Sequence, residues 1–412
     1  MEATDASQVQ ADFKEDGSID PYPHYARRRE QCPVGRVAKT GGLRPFLITR
    51  YEDVKAALND PRLLKDPRYG EAELVAAGLG PVYFGTDGLL LGSMLGSDPP
   101  DHTRLRALVA GQFTNHRTMA LAPRIQELTD TLIDAFAPAG RAEFMDAFAV
   151  PLPALVIAEL LGVPGTDRER FRRWSQESLL PAHDPRRSVG TKALNGYVAE
   201  IVELKRSAPG DDMISALITG QGEDRLSAEE VLGSVQLLII AGHETTANLL
   251  GNGLLALLRD PDQLALLRDR PELIPGAVEE FLRYDGPVER ATIRFAAADL
   301  RIGATDIPRG SIVYMALASA DRDEAEFPGA DRLDVCRAPR GHLAFGHGRH
   351  FCLGAPLARL EAKIAFETLL RRLPGLELDA PPEELAHNTS VIMRGLTALP
   401  IRFPAQDSGA GD

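Results

Sequence analysis

One cysteine set among glycines is the most chemically informative feature of this chain. The stretch Phe345-Gly-His-Gly-Arg-His-Phe-Cys-Leu-Gly354 places Cys352 directly before a predicted helix. Glycine lets backbone approach where a side chain would not fit. A thiolate at a helix N-terminus is favoured by the helix dipole and by unpaired N–H groups, which lower its pKa and make it available to a metal. Thiolate is also one of the few axial ligands of haem iron. The plain alternative is a structural cysteine in a tight turn, since free cysteine is among the most buried residue types.

Three further groupings carry charge or hydroxyls at helical spacing. Glu244-Thr245 falls in the middle of an apolar run, where an acid and a β-branched pair compete with the backbone for hydrogen bonds. Two readings stand: a locally widened helix, or a kinked buried helix with a satisfied acid. Glu280 and Arg283, three apart, share a helix face and by spacing alone read as an ordinary surface pair. His102 and Arg106, four apart, present two cations on one face.

Long elements are needed to position these groups. Ser227 with Glu230 forms a capping box ahead of the run Val231 to Leu258, which Asp260-Pro261 ends. A helix of that length extends about 45 Å and crosses the molecule. It is apolar enough to suggest a membrane span, but His243 and Glu244 at its middle oppose that placement. A strand is expected over Arg44 to Arg50 and a helix over Tyr51 to Asn59. Helices carrying Ile125, Leu128, Leu132 and Phe136, then Pro153 to Leu161, follow. A helix ending at Arg283-Tyr284 gives way to strands at Asp299 to Ile302 and Ser311 to Met315, and a strand pair is expected within Val391 to Phe403. After the Gly-rich loop a helix continues to about Leu370.

The composition suits a globular protein with a large core: 412 residues, 44% apolar and 25% charged. No linker divides it, so a single domain over 21–405 is expected, flanked by polar segments at 1–20 and 406–412. A formal charge of −13 argues against nucleic-acid and anionic-membrane partners. Cys32, Cys336 and Cys352 are too few and scattered for a disulfide framework, which points to the reducing cytoplasm.

Phe345-x-x-Gly348-x-x-x-Cys352-x-Gly354 resembles the haem-binding signature of the cytochromes P450. Ala241-Gly-His-Glu-Thr-Thr246 resembles that family's oxygen-activation motif, and Glu280-x-x-Arg283 its Glu-x-x-Arg pair. Asp98 to Arg106 resembles its helix beside the haem. The resemblance runs from about residue 20 to the C-terminus and is nearest to soluble bacterial enzymes that tailor macrolides and other polyketides.

The resemblance implies a mostly α-helical fold with small β-sheets, its long central helix crossing over one haem b. Cys352 would ligate the iron within the loop made by Phe345, Gly346 and Gly354. His102, Arg106, Arg294 and His350 would hold the haem propionates. Thr245 would donate a hydrogen bond to dioxygen and Glu244 would pass protons from solvent. Glu280, Arg283 and Arg332 would form a structural ion cluster, although the family usually has Phe where this chain has Leu333. Leu237, Ile240 and Ala241, then Val288, Ala291 and Thr292, then Val391 and Ile392 would wall the pocket of a lipophilic substrate. The irregular stretch Leu179 to Arg187, after Trp174, would be a lid.

The implied reaction is O₂-dependent mono-oxygenation, hydroxylation or epoxidation, fed by a ferredoxin and its NAD(P)H-dependent reductase. The ferredoxin would dock on a basic face made by Arg104, Arg349 and Arg359. A cytoplasmic monomer is expected. The same machinery serves oxidative coupling and oxidation of a carrier-bound amino acid. Against a haem protein without turnover, or a peroxide-driven enzyme, stands the intact Glu244-Thr245 pair.

Overall fold

The computed structural model describes residues 20–406 apart from 38–42, 78–91, 112, 168–169, 172, 175–176, 178–184, 221–224, 338–340 and 389. The expected polar ends lie almost wholly outside the described residues, as do 179–184 of the expected lid.

The main helices are α1 (Tyr22–Gln31), α2 (Tyr51–Asn59), α3 (Asp101–Ala110), α4 (Ala122–Phe136), α5 (Pro151–Leu161), α6 (Pro185–Ser207), α7 (Ala228–Leu258), α8 (Pro261–Asp269), α9 (Ile274–Asp285) and α10 (Ala355–Arg372). α7 is the axis of the molecule. Its 31 residues extend about 46 Å. Its start is the expected capping box, in which Glu230 N donates to Ser227 Oγ (3.1 Å) and Ser227 N to a Glu230 carboxylate oxygen (2.8 Å). Asp260 then caps α8 by accepting from Gln263 N (3.3 Å).

Two apolar clusters form along α7. Its C-terminal half, through Leu250, Leu254 and Leu257, packs on Phe281 of α9 and Phe366 of α10. The N-terminal half packs through Val235 and Ile239 on Leu161, Val198 and Ile201. Gly253 permits the first contact: a Cβ there would lie 2.9 Å from Phe366 and 3.0 Å from Phe281. Smaller residues on α7 thus bring α9 and α10 close, and these helices carry the ion pair and the cysteine loop.

Strands β1 (Val34–Arg36), β2 (Phe46–Ile48), β3 (Leu63–Leu64), β5 (Arg294–Ala296) and β8 (Ile312–Met315) form one sheet in the order β1-β2-β8-β5-β3; β4 (Arg141–Glu143), β9 (Glu377–Leu378) and β10 (Pro400–Arg402) form another, and β6 (Leu300–Ile302) pairs with β7 (Thr305–Ile307). The expected strand pair within Val391 to Phe403 does not form. β10 pairs instead with β4 and β9, while Met393 bridges to Val288. The reason is long-range: the Ile392 carbonyl is taken by Glu289 N (2.8 Å) and Arg290 N (3.3 Å). The expected strands at 44–50, 299–302 and 311–315 are present, as β2, β6 and β8.

Candidate active site

The loop before α10 folds back on itself around Cys352. Cys352 N donates to Phe345 O (2.9 Å), Phe351 N to Gly348 O (3.0 Å) and Gly346 N to Leu343 O (2.7 Å). Gly346 and Gly348 both have φ of 72°, in the region that disfavours side chains. At Gly348 a Cβ would also fall 2.0 Å from Asn59 Oδ1. Burial pushes the Cys352 thiol up, against the N–H groups of Gly354 and Ala355 and the charges of Arg106 and Arg359, all of which favour thiolate. The sequence argument counted only those favourable groups. Phe345 lies under the Arg359 guanidinium, 4.5 Å from ring centroid to carbon.

Beside this loop is a cluster of one buried guanidinium and two histidines. His102 and Arg294 are each 3% exposed. The His102 and His350 rings stand 4.2 Å apart. Burial lowers the His350 pKa to about 2, with Arg294 and Lys65 adding to the effect, and burial lowers Arg294 to about 10. His102 Nε2, Arg294 Nη1 and His350 Nε2 have no hydrogen-bond partner among the described residues. Buried donors are normally satisfied. Three orphaned ones at one place, all on cationic or ionisable side chains, mark an anion site. Arg106 differs from the other three: its Nη2 donates to Phe351 O (2.7 Å) and clamps the residue before Cys352.

On α7, residues 237–239 and 246–257 are buried, but Ile240, Gly242, Glu244 and Thr245 are half-exposed and Ala241 is exposed. An accessible strip in the middle of an otherwise buried helix must open onto internal space. The helix remains α-helical through this strip, so the widened turn anticipated at Glu244-Thr245 is not formed there; a π-helical turn occurs instead at Met145–Ala149. Thr245 Oγ1 donates to Ala241 O (2.6 Å), which is how a mid-helix threonine satisfies its hydroxyl.

The expected pocket wall is partly assembled. Val288, Thr292, Val391 and Ile392 are half-buried and Ala291 buried, with the 288–292 and 391–393 segments joined by the backbone bonds described above. Leu237 lies one turn before Ala241 and is covered, 5% exposed, within the apolar cluster. The Thr292 hydroxyl accepts from Lys65, a residue no sequence signal singled out, because the two are 227 positions apart.

The Glu280–Arg283 pair is a buried fork: Arg283 Nε donates to Glu280 Oε2 (2.8 Å) and Nη2 to Oε1 (2.7 Å). Arg332 does not join it through its side chain. Leu333 turns inward, which leaves the Arg332 side chain exposed and directs only its carbonyl to Arg283 (3.1 Å). The second guanidinium at Glu280 is that of Arg337, 3.3 Å from Oε1. Of the three arginines expected on a docking face, Arg104 is paired with Glu230 and Arg359 with Glu279 (2.7 Å), while Arg349 has no carboxylate within 4 Å among the described residues. A cleft of about 480 Å³ lies against the cysteine loop, lined by Lys55, Glu279, His342, His347 and Arg359 among others.

The model of the family described as Cytochrome P450 matches residues 175–395. The chain is 47% identical to the cytochrome P450 monooxygenase PikC of Streptomyces venezuelae, over 94% of this chain and 92% of that protein. It is 39% identical to the mycinamicin IV hydroxylase/epoxidase of Micromonospora griseorubida, over 92% and 94%. The solved structure of the tirandamycin C-bound P450 monooxygenase TamI superposes with a TM-score of 0.85 at 43% identity, covering 93% of this chain and 98% of that one. Likeness at this level extends from the cysteine loop to the entire fold, and the chain belongs to the cytochrome P450 family of monooxygenases.

Proposed function

We propose that this enzyme binds haem b through Cys352 and hydroxylates or epoxidises a lipophilic polyketide-type molecule in secondary metabolism. The residues fit the cofactor: a cysteine at a helix N-terminus supplies the thiolate, and the orphaned donors of His102, Arg294 and His350 supply partners for two carboxylates. When bound, haem activates O₂, places one oxygen atom in the substrate and releases the other as water.

The observation that carries the reading is the accessible strip Ile240, Ala241, Glu244 and Thr245 on α7. It offers apolar contact, a hydroxyl and a carboxylate side by side. Thr245 is the hydrogen-bond donor that holds dioxygen in place, released for this from the Ala241 carbonyl by rotation about χ1. Glu244 accepts protons from solvent and passes them inward. Ala291 and the 391–392 turn keep the substrate against this strip and exclude water. Electrons come from a ferredoxin, docked over the cleft beside the cysteine loop in the cytoplasm; no helix among the described residues is long and apolar enough to cross a membrane.

Two variants test the assignment. Thr245→Ala should consume NADPH while releasing most of the reducing equivalents as hydrogen peroxide. Glu244→Gln should slow turnover with less peroxide per electron. Product, NADPH and peroxide measured together decide it. Coupling like the wild type in Thr245→Ala would remove Thr245 from the proton route.

A further inference from the structure

The sheet that carries Arg294 sets a second buried cation against it. β3 and β5 run antiparallel with Leu64 opposite Phe295 and Leu63 opposite Ala296; Lys65 directly follows β3, Arg294 begins β5, and the two charges oppose each other. Thr292 lies two residues before Arg294, outside the strand, and its hydroxyl meets Lys65. Lys65 is 5% exposed. Two like charges buried close together are destabilising. Burial and Arg294 depress the Lys65 ammonium well below its ordinary value, opposed only by Asp98. That carboxylate accepts the backbone N–H of Lys65 (2.8 Å) and of Asp66 (3.0 Å).

The Lys65 ammonium donates to Thr292 O (3.2 Å), Ile293 O (3.2 Å) and Thr292 Oγ1. Its three donors are thereby used. Because Thr292 Oγ1 accepts from Lys65, its own hydroxyl hydrogen remains to be given, and it has no acceptor among the described residues. Close by, Arg294 Nη1 is orphaned, as are His102 Nε2 and His350 Nε2. Two buried basic groups and a hydroxyl donor gathered at one place need an anion.

Resting on the reading that this site holds haem, we propose that Lys65 and Thr292 are a further part of its carboxylate anchor. Thr292 donates to a porphyrin carboxylate, and Lys65, a positioning residue, aims that hydroxyl and supplies a compensating charge. The same ammonium ties down residues 292–293, so one side chain fixes the cofactor and this stretch of the substrate wall together.

The test compares Lys65→Met and the near-isosteric Thr292→Val, each loaded with haem and with haem dimethyl ester, by the rate of transfer to excess apomyoglobin. With haem, each variant should release about tenfold faster than the wild type, the scale of one charge-assisted hydrogen bond. With the ester, variants and wild type should release at equal rates, because the carboxylate is gone. An acceleration that persists in the ester means a merely structural role and overturns the proposal; so do unchanged rates with haem, or a change confined to substrate affinity. If Lys65→Met does not fold, Thr292→Val decides alone. A carbonyl band of thiolate-ligated haem in the wild type separates failure of this proposal from failure of the haem reading.

Discussion

The polar network around Arg283 and the group of His102, Arg294 and His350 differ in how far their hydrogen bonds are closed. At Arg283 every guanidinium donor is taken: Glu280 receives two, and the Asp321 (2.9 Å), Ala330 (2.8 Å) and Arg332 carbonyls receive the rest. Glu280 Oε1 also accepts Asp334 N (3.0 Å). At His102, Arg294 and His350 one nitrogen each is left over. A closed network fixes backbone; an open one with net positive charge waits for an anion. Burial alone would rank the two clusters together, and polar satisfaction separates scaffold from site.

The largest effect is expected from breaking the closed network. Arg283→Met leaves Glu280 buried with only a backbone N–H and the more distant Arg337. The loss should be about 3–5 kcal/mol of stability, read by denaturant unfolding, with haem lost as a consequence. Arg332→Ala should change stability by less than about 0.5 kcal/mol, as for an ordinary surface site. Equal losses in the two would return Arg332 to the cluster.

Glu361 can break the comparison from the other side. It is 2% exposed, and among the described residues its Oε2 lacks a partner and no cation accompanies it. Burial alone raises its pKa to about 8. The acid is therefore neutral in the folded protein, and its folded pKa stands above the unfolded one. Its contribution is intact below about pH 4 and declines as the pH rises through 8. Glu361→Gln should remove that decline, raising stability relative to the wild type by a few kcal/mol by pH 8–9 and leaving pH 4 unchanged. Parallel pH profiles would mean that Glu361 has a charged partner and belongs with the open cluster.

The smallest effect concerns the outer face. With Arg104 and Arg359 paired, Arg349 is the remaining unpaired arginine of the three. Arg349→Glu should slow reduction by ferredoxin a few-fold at low ionic strength, with a shallower salt dependence. Equal rates would move the docking site elsewhere.

Features encoded within a few residues were legible in the sequence. The helix Tyr51–Asn59, the Ser227 capping box and the cysteine loop all stand where local chemistry placed them. What was missed depends on contacts between distant residues. Val391 to Met393 reads as strand by composition, but its backbone partner is the 288–290 segment. Arg332 and Arg337 are equally plausible partners for Glu280 until Leu333 decides which way the chain turns. Lys65 has no neighbour in sequence that hints at Thr292. Thr245 was correctly singled out as poor helix chemistry, but its hydroxyl settles on the Ala241 carbonyl without widening the helix.

Cys352 is proposed to supply the thiolate, and the open cluster of His102, Arg294 and His350 to retain the cofactor. The direct test is the reduced, carbon-monoxide-bound spectrum of the wild type beside Cys352→His. The wild type should show the absorption band that gives the family its name, the signature of an axial thiolate. The variant should keep its haem, held by His102, Arg294 and His350, and lose that band. A variant that retained the band would place the thiolate on Cys32 or Cys336 and contradict the assignment of Cys352.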